Sequence, residues 1–268
     1  MVLNKNSIII DPNLDRICNK ELFNYVAHVL CFEGEFQFFI NDQRFVLTKG
    51  DCMILIAREM MNNYKASTDL RIEVIYVAPE FIEVATPKNN YGIIGTIALS
   101  VNPIFRPSDS IFLLLQKDFK DVKERLESNH IFLDDVMICQ TQLMFLDFYD
   151  AHAKLYGTNK ISNQQSSLIE KFMKMLWQGD YVEHRDIIYY ADRLCITPKY
   201  LSELTKQVSG MSANYWITRF TIIHIRRLLN DRNMTFNEIS DMFGFSSPAY
   251  FSRFVQKNLG APPSAFRQ

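Results

Sequence analysis

The first third of the chain contains short apolar runs separated by polar or glycine-containing turns. These runs fall at residues 36–40, 44–47, 52–56 and 71–77. Short runs at this spacing are typical of strands joined by tight turns. Gly50-Asp51 is one such turn. The region up to about Phe81 is therefore predicted to form an antiparallel sandwich or barrel.

From about Ser110 the apolar residues recur every three or four positions, which is the period of a helix. One stripe holds Phe119, Val122, Lys123 and Leu126, and a second, within residues 134–156, holds Val136, Cys139, Leu143, Leu146 and Tyr149. The pattern predicts two helices after the strands. These helices either cap the barrel or pair with their copies in a second subunit, and the second alternative implies a homodimer.

A polar segment at residues 158–166 is predicted to be a linker, because it has few apolar residues and lies where the charge balance changes. From residue 160 onward the chain carries 14 Lys and Arg against 9 Asp and Glu, whereas the preceding residues carry 15 against 21. The second half is therefore the part suited to a polyanion, although a solvated basic face would give the same balance. The predicted domains are residues 1–157 and 167–268.

The second domain has helical apolar spacing throughout and contains an internal repeat. Residues 191–204 (ADRLCITPKYLSEL) and 240–254 (SDMFGFSSPAYFSRF) share one order of residue types. A small residue is followed by an apolar residue, a turn, a hydroxyl residue, proline, tyrosine, an apolar residue and serine. The copies lie about 50 residues apart and are joined by a helical segment, residues 213–230. Two ordinary helical hairpins would not be expected to share this order.

Each copy has the residue order of a helix-turn-helix unit. Gly244 suits the turn, because glycine readily adopts left-handed backbone angles. A hydroxyl residue followed by proline starts a helix, since the hydroxyl caps free N–H groups and proline needs no N–H there. Thr197 is therefore expected to cap one second helix, and either Ser246 or Ser247 the other. Such a unit presents its second helix to the major groove of DNA.

At these residues the sequence resembles the AraC/XylS family of transcription regulators, over residues 186–267. The resemblance is densest in ISDMFGFSSPAYFSRF (239–254) and in GAPPSAFR (260–267), and Gly210-Met211-Ser212 and RRLL (226–229) also match. The family usually has other residues at Thr205, Thr221, Ile225, Gln256 and Pro262. These departures lie mainly in the first unit and the linking helix. We therefore expect sequence specificity to depend more on the second unit.

The resemblance implies that two recognition helices enter successive major grooves on one face of double-stranded DNA. Helical spacing predicts that Tyr200, Leu201 and Leu204 face the core. The candidates for reading bases are Arg253, Ser247, Ala249, Lys199, Ser202 and Glu203, and those for binding phosphates are Lys206, Arg226, Arg227, Gln256 and Lys257. Arg253 is preferred because a guanidinium can bond guanine O6 and N7 together. A phosphate contact is its alternative.

In this family the front domain is often a cupin-like barrel that senses a small molecule, and residues 34–36 and 49–56 are similar to two of its turns. The resemblance thus implies an α+β fold: a cupin-like β-barrel with following helices, then an all-α domain of two helix-turn-helix units. Candidates for lining an effector pocket are Phe23, Tyr25, Phe36, Phe38 and Tyr76. Core packing explains these aromatic residues equally well.

Catalytic cupins bind a metal through a His-x-His, a Glu and a later His. The histidines of this chain are dispersed at positions 28, 130, 152, 184 and 224, and Met60 and Met61 stand near the usual second ligand position. We therefore expect no metal, no cofactor and no enzyme activity. The alternative is a cupin metalloenzyme with a DNA-binding tail, which would contain stoichiometric metal.

The remaining features indicate a cytoplasmic protein. No apolar run reaches the ~18–20 residues of a membrane span, and the first 15 residues do not resemble a signal peptide. The five cysteines are scattered and odd in number, which is typical of a reducing compartment. By analogy with the family, the protein is expected to be an activator that contacts RNA polymerase.

Overall fold

The computed structural model describes residues 6–12, 16, 22, 24–40, 43–56, 61–87, 95, 99, 102–156, 162–231 and 233–267. The chain divides into two compact units, Met1–Thr158 and Asn159–Gln268. The first unit contains strands followed by helices, and the second is helical. The predicted α+β fold class is therefore confirmed.

The strands of the first unit form two antiparallel sheets. They are β1 (Ile8–Asp11), β2 (Val26–Glu33), β3 (Glu35–Ile40), β4 (Gln43–Thr48), β5 (Cys52–Leu55), β6 (Met61–Ala66), β7 (Arg71–Val77) and β8 (Ile104–Phe105). One sheet has the order β1-β7-β2-β5-β8 and the other β4-β3-β6. The four runs predicted from the sequence correspond to β3, β4, β5 and β7.

Tight turns fix the register of these strands. Gly50 has a φ of 85°, and the amide of Asp51 donates to the carbonyl of Thr48 at 2.9 Å. The buried carboxylate of Asp51 accepts from the amide of Thr48 at 2.7 Å and from Nε of Arg106 at 2.8 Å. A buried carboxylate requires such partners, since desolvation otherwise makes it costly. The predicted Gly50-Asp51 turn is thereby confirmed.

The described residues of the first unit also form the helices α1 (Pro79–Ala85), α2 (Asp109–Leu126) and α3 (Leu133–Tyr156). The sequence predicted strands up to about Phe81, and α1 shows that this boundary was wrong. Pro79 occupies the first turn of α1 and Glu80 follows it. Both residues favour a helix start, because proline has no N–H to lose there and an acid complements the helix dipole.

The buried face of α3 is not the apolar stripe named from the sequence. Five apolar residues of the helix lie in the core against the larger sheet and α2, namely Met137, Met144, Phe145, Phe148 and Ala151. The predicted stripe instead contains Cys139, Leu143 and Leu146, which are exposed. The sequence left open whether this stripe packs on the barrel or pairs with a second copy, and because α3 is apolar on more than one side, its period alone does not select the face that packs.

Asp118 of α2 is buried, only 3% exposed, and its carboxyl hydrogen-bonds to that of Asp147 on α3. Such a bond needs a proton on one of the two groups. Burial and the nearby charge of Asp147 raise the pKa of Asp118 to about 7, with a smaller contribution from Asp121. Between about pH 4 and pH 7 the carboxyl of Asp118 is therefore protonated in the folded protein and ionised in the unfolded chain.

It follows that wild-type stability should fall as the pH rises from about 4 to 7. Asp118→Asn supplies a permanent donor to Asp147, so it is expected to stabilise the protein by ~1–2 kcal/mol at pH 8 and to have little effect at pH 4. Urea unfolding followed by far-UV circular dichroism at both pH values measures this difference. Asp135→Asn, at an exposed position of α3, is the control. An Asp118→Asn gain that is equal at both pH values would contradict the assignment.

The second unit comprises six α-helices within its described residues, 162–231 and 233–267. They are α4 (Asn163–Gln178), α5 (Ile187–Arg193), α6 (Pro198–Ser209), α7 (Ala213–Asn230), α8 (Phe236–Met242) and α9 (Pro248–Leu259). Short 3₁₀ helices lie at Asp180–Val182 and Pro263–Arg267. No helix in the described part of the chain has the length and apolar content needed to cross a membrane.

The predicted linker, residues 158–166, overlaps α4. Residues 158–161 lie outside the described residues, whereas residues 163–166 form the first turn of the helix. Ser162 and Gln165 form a reciprocal capping box, in which each side chain accepts from the other residue's backbone N–H. The polar composition that predicted a linker here serves to start a helix.

Candidate nucleic-acid interface

The two predicted helix-turn-helix units are α5–α6 and α8–α9, and their turns have matching backbones. Cys195 has a φ of 54° and Gly244 a φ of 59°. The next amide in each turn reaches back to an equivalent carbonyl: Ile196 N to Ala191 O, and Phe245 N to Ser240 O, both at 3.0 Å. The repeat seen in the sequence is therefore also a structural repeat. In the first helix-turn-helix unit, Cys195 therefore has a backbone conformation that glycine adopts more readily.

Both second helices begin and end in the same way. The hydroxyl of Thr197 accepts from the amide of Tyr200, and that of Ser247 accepts from the amide of Tyr250, each at 3.2 Å. Ser247 is thus the cap that the sequence left open between Ser246 and Ser247. Each helix has proline in its first turn, is 12 residues long, and ends at a left-handed glycine.

The buried face of α6 is formed by Leu201, Leu204, Thr205 and Val208. The prediction for Leu201 and Leu204 is confirmed, but Tyr200 is 38% exposed and does not face the core. Tyr200 lies one residue before the stripe that packs, so its side chain is rotated away from it. In α9, Phe251 is fully buried and Tyr250 is 47% exposed.

Three departures from the family pattern lie in the core rather than on the DNA-facing surface. Thr205, Thr221 and Ile225 are buried. The hydroxyl of Thr205 donates to the carbonyl of Leu201 at 3.0 Å, and that of Thr221 to the carbonyl of Ile217 at 2.8 Å. Because these hydroxyls are satisfied within their own helices, these departures concern the packing of the domain and not its exposed surface.

The base-reading candidates occupy the exposed parts of the two second helices. Lys199, Glu203, Ala249 and Arg253 are exposed, whereas Ser202 and Ser247 are half-buried. Arg253 makes no hydrogen bond or ion pair with another residue in the described part of the chain. Its guanidinium is therefore available to an external partner.

The phosphate candidates are less uniform. Lys206, Arg227, Gln256 and Lys257 are exposed. Arg226 is half-buried, and its guanidinium carbon lies 5.1 Å from the centre of the Phe266 ring. This contact orients the side chain of Arg226 over the C-terminal 3₁₀ helix.

Glu203 reduces the positive potential of the first recognition helix. Its carboxylate lies 3.9 Å from the ammonium of Lys199, one helical turn earlier. Glu203→Gln removes a charge that repels phosphate and frees Lys199, so it is expected to raise DNA affinity by about threefold to tenfold. Gel-shift titrations on matched duplexes measure the gain, and Asp192→Asn, an exposed acid on α5, is the control. A loss of affinity with Gln would instead indicate that Glu203 accepts a hydrogen bond from a base.

Residues 179–186, which the sequence analysis did not single out, lie beside both helix-turn-helix units. We call residues 179–186 the connector, because they join α4 to α5. Within it, the guanidinium carbon of Arg185 lies 3.7 Å from the centre of the Phe245 ring, and Nη2 donates to the carbonyl of Gly244 at 3.2 Å. The hydroxyl of Tyr181 lies 3.2 Å from Nδ1 of His224 on α7. Contacts so distant along the chain leave no periodic signal in the sequence.

The predicted effector-pocket residues do not line the groove described below, which lies in the N-terminal compact unit, Met1–Thr158. Phe36 and Phe38 are buried and stacked, with ring centres 5.4 Å apart, and Tyr76 is fully buried. Tyr25 is half-buried, and Phe23 lies outside the described residues. A groove of about 650 Å³ lies elsewhere, and its lining includes Ile10, Phe32, Phe119, Lys120 and Lys123. Within the described residues, no three His, Cys, Asp or Glu side chains are grouped as metal ligands would be.

Sequence comparison shows regulators among the relatives. Residues 190–268 match a family described as a helix-turn-helix domain. The arabinose operon regulatory protein of Salmonella typhimurium is 36% identical over 84 residues, which span 31% of this chain and 30% of that protein. The HTH-type transcriptional regulator ExsA of Pseudomonas aeruginosa is 25% identical over 96% of this chain and 90% of its own length. The HTH-type transcriptional activator RhaR of Klebsiella pneumoniae is 22% identical over 90% of this chain and 84% of its own length.

Among solved structures, the chain is similar to unsaturated fatty acid bound ToxT from Vibrio cholerae. The TM-score is 0.51 with 12% sequence identity, and the match covers 99% of this chain and 96% of that one. At this identity the similarity concerns the fold alone.

Proposed function

We propose that this chain is a transcription regulator of the AraC/XylS family that binds a specific duplex site with α6 and α9 in successive major grooves. The observation that carries this proposal is the matching geometry of the two units. Equal turns, equal caps and equal helix lengths present two second helices, each with polar side chains on an exposed face. In helix-turn-helix proteins this is the helix that enters the major groove.

The charge of the second domain supports this proposal. Its excess of Lys and Arg contrasts with the acidic first domain, so attraction to the phosphate backbone is confined to one part of the chain. Arg253 is proposed to read a base, while Lys206, Arg227 and Lys257 neutralise phosphates and position the protein. Glu203, an acidic residue on the exposed face of α6, would also face DNA.

Selection of duplexes from a random-sequence pool with the full chain tests the proposal. We expect an enriched site with two short boxes about one helical turn apart, because the recognition helices meet successive grooves. Enrichment of no sequence, or of a single box, would contradict it. Binding of the selected site should also weaken steeply with salt, in proportion to the phosphates contacted.

We further propose that two copies pair through the exposed apolar stripe of α3. Leu143 is 49% and Leu146 40% exposed, and Cys139 of the same stripe is also exposed. Contiguous exposed apolar surface of this kind is typical of an interface. Leu143→Glu is expected to convert a dimer to a monomer in sedimentation velocity. Leu155→Glu is the control, because that leucine is 46% exposed but lies about 120° around the helix from Leu143. A chain that sediments as a monomer without substitution would contradict the pairing.

The remaining parts of the proposal concern how the regulator's activity is controlled and where it acts. An effector would bind in the groove beside Phe32 and Phe119, which has apolar walls edged by basic side chains (Lys120, Lys123) and acidic ones (Asp11, Glu73, Glu127), and so suits a small molecule with an apolar body and polar substituents. Activation of transcription is proposed because RhaR, a relative, is described as an activator, and contact with RNA polymerase would be the means. Such a regulator would act in the cytoplasm, where the bacterial chromosome lies.

A further inference from the structure

We propose that Arg185 is a positioning residue that fixes the turn of the second helix-turn-helix unit against the connector, and so sets the angle between α6 and α9. The inference rests on the proposed function for its meaning, since two helices read two grooves only when their relative orientation is held. The linking helix α7 alone joins the units along the chain. Arg185 adds a second link through space.

The contacts of Arg185 converge on the turn before α9. The guanidinium of Arg185 lies over the ring of Phe245, with its carbon 3.7 Å from the ring centre. The same guanidinium donates a hydrogen bond to the carbonyl of Gly244. Burial lowers the pKa of Arg185, as expected of a guanidinium that has lost water to the ring. A stacked ring and a carbonyl acceptor together fix both the plane and the direction of the side chain.

The ring of Phe245, which Arg185 contacts, packs in turn against the second recognition helix, α9. Phe245 is 6% exposed, and its ring centre lies 5.7 Å from that of Tyr250, 5.3 Å from that of Phe251 and 5.1 Å from that of Phe254. These three residues belong to the first two turns of α9. Arg185 is therefore one side chain away from the helix proposed to read DNA.

The connector is also held against α5, the first helix of the first helix-turn-helix unit. Asp186, next to Arg185, caps α5 by accepting from the amide of Ile188 at 2.9 Å. The hydroxyl of Tyr190 donates to the carbonyl of His184 at 3.0 Å, and the rings of His184 and Tyr189 are stacked at 3.8 Å. The connector is thus attached to α5 on one side and to the turn of the second unit on the other.

The same connector makes a parallel contact through α7. Tyr181 pairs with His224, whose ring meets that of Phe243 edge-on at 5.2 Å. Phe243 ends α8 and precedes the turn that Arg185 holds. Among the described residues, the Tyr181 contact reaches the second helix-turn-helix unit through α7, whereas the Arg185 contact reaches its turn directly.

A distance measurement without DNA tests the inference directly. Nitroxides are attached to a ketone amino acid at the exposed positions Lys199 and Gln256, one on each recognition helix, and pulsed electron resonance gives their distance distribution. The wild-type chain should give one narrow distribution. Arg185→Ala should widen it at least twofold, and Arg185→Lys should widen it as well, because an ammonium keeps the charge but has no planar face. An unchanged distribution in both variants would overturn the inference.

Arg193→Ala is the matched control for this measurement. Arg193 also lies over an aromatic ring, 5.4 Å from Tyr189, and donates to its hydroxyl, but both residues belong to the first unit. The distribution should stay narrow in this variant. Tryptophan fluorescence shows that each variant is folded, since both tryptophans, Trp177 and Trp216, lie in this domain.

A binding measurement on the selected site separates positioning from a direct phosphate contact. One base pair inserted between the boxes should cost the wild-type chain ~10-fold or more in affinity, since rigid units require one spacing. Arg185→Ala should bind the original site more weakly and lose less than about threefold on insertion, with an unchanged salt slope. A slope reduced by about one, restored by Arg185→Lys, would mean a phosphate contact and refute the inference. If the pool yields no site, the proposed function fails while the nitroxide distances still decide the role of Arg185.

Discussion

Arg253→Ala is expected to weaken binding of the selected DNA site by roughly 1–3 kcal/mol and to relax selectivity at one base pair. The physical reason is that Arg253 is exposed on α9 and bonds to nothing else in the described part of the chain. A guanidinium presented in this way can bond two acceptors of guanine together. Gel-shift titrations on the selected site and on single-base variants measure both effects.

Two comparisons decide whether Arg253 reads a base or a phosphate. Arg253→Lys keeps the charge but not the paired donors, so base reading predicts a loss close to that of alanine. Lys257→Ala, on the same helix, should weaken all sequences equally and reduce the salt slope by about one. If Arg253→Ala behaves in that second way and lysine restores binding, then Arg253 contacts phosphate and the assignment is wrong.

Gly34→Ala is expected to destabilise the first domain by ~2–4 kcal/mol, through two effects that add. Gly34 joins β2 to β3 with a φ of 76°, where a side chain is strained. A Cβ there would also lie 2.6 Å from the Cα of Leu70 and 2.6 Å from Oγ of Ser67. Ser67 cannot simply move, because its hydroxyl accepts from the amide of Glu35 at 2.8 Å.

Gly50→Ala provides the matched control for that substitution. Gly50 has a similar φ of 85°, but nothing lies within 4 Å of its added Cβ, so only the backbone cost of ~1 kcal/mol applies. Urea unfolding followed by circular dichroism should separate the two variants. Tryptophan fluorescence follows the second domain and should not change. Equal destabilisation by both alanines would show that the contact with Leu70 relaxes at no cost.

The helix-turn-helix units could be predicted because their signals are local. Thr197 with Pro198, and Ser247 with Pro248, act within one turn of helix; the structure confirms Thr197 as a cap and selects Ser247 from the two serines that the sequence left open. Strand limits were predictable for the same reason: the run 36–40 became Glu35–Ile40, and the run 71–77 became Arg71–Val77. Such features depend on neighbours a few residues away.

What the sequence did not predict depends on partners far along the chain. Both stripes of α3 have helical spacing, and only the sheet decides that Phe145 is buried while Leu143 is exposed. Arg185 resembles any basic residue before a helix until Gly244, 59 residues later, is placed beside it. In the same way, only the packed helices show that Thr205 and Thr221 donate their hydroxyls to carbonyls of their own helices.

The equal caps and turns of the two units have a consequence for how the protein can evolve. Residues that start, turn and stop the units, among them Thr197, Gly244 and Gly260, are separate from the outward residues Lys199, Glu203 and Arg253. Exchange of an outward residue therefore leaves the fold of its unit almost unaffected, since surface substitutions away from caps and core change stability little. Each box of the target site can drift independently, and a lineage can acquire new target genes one base pair at a time without first becoming more stable.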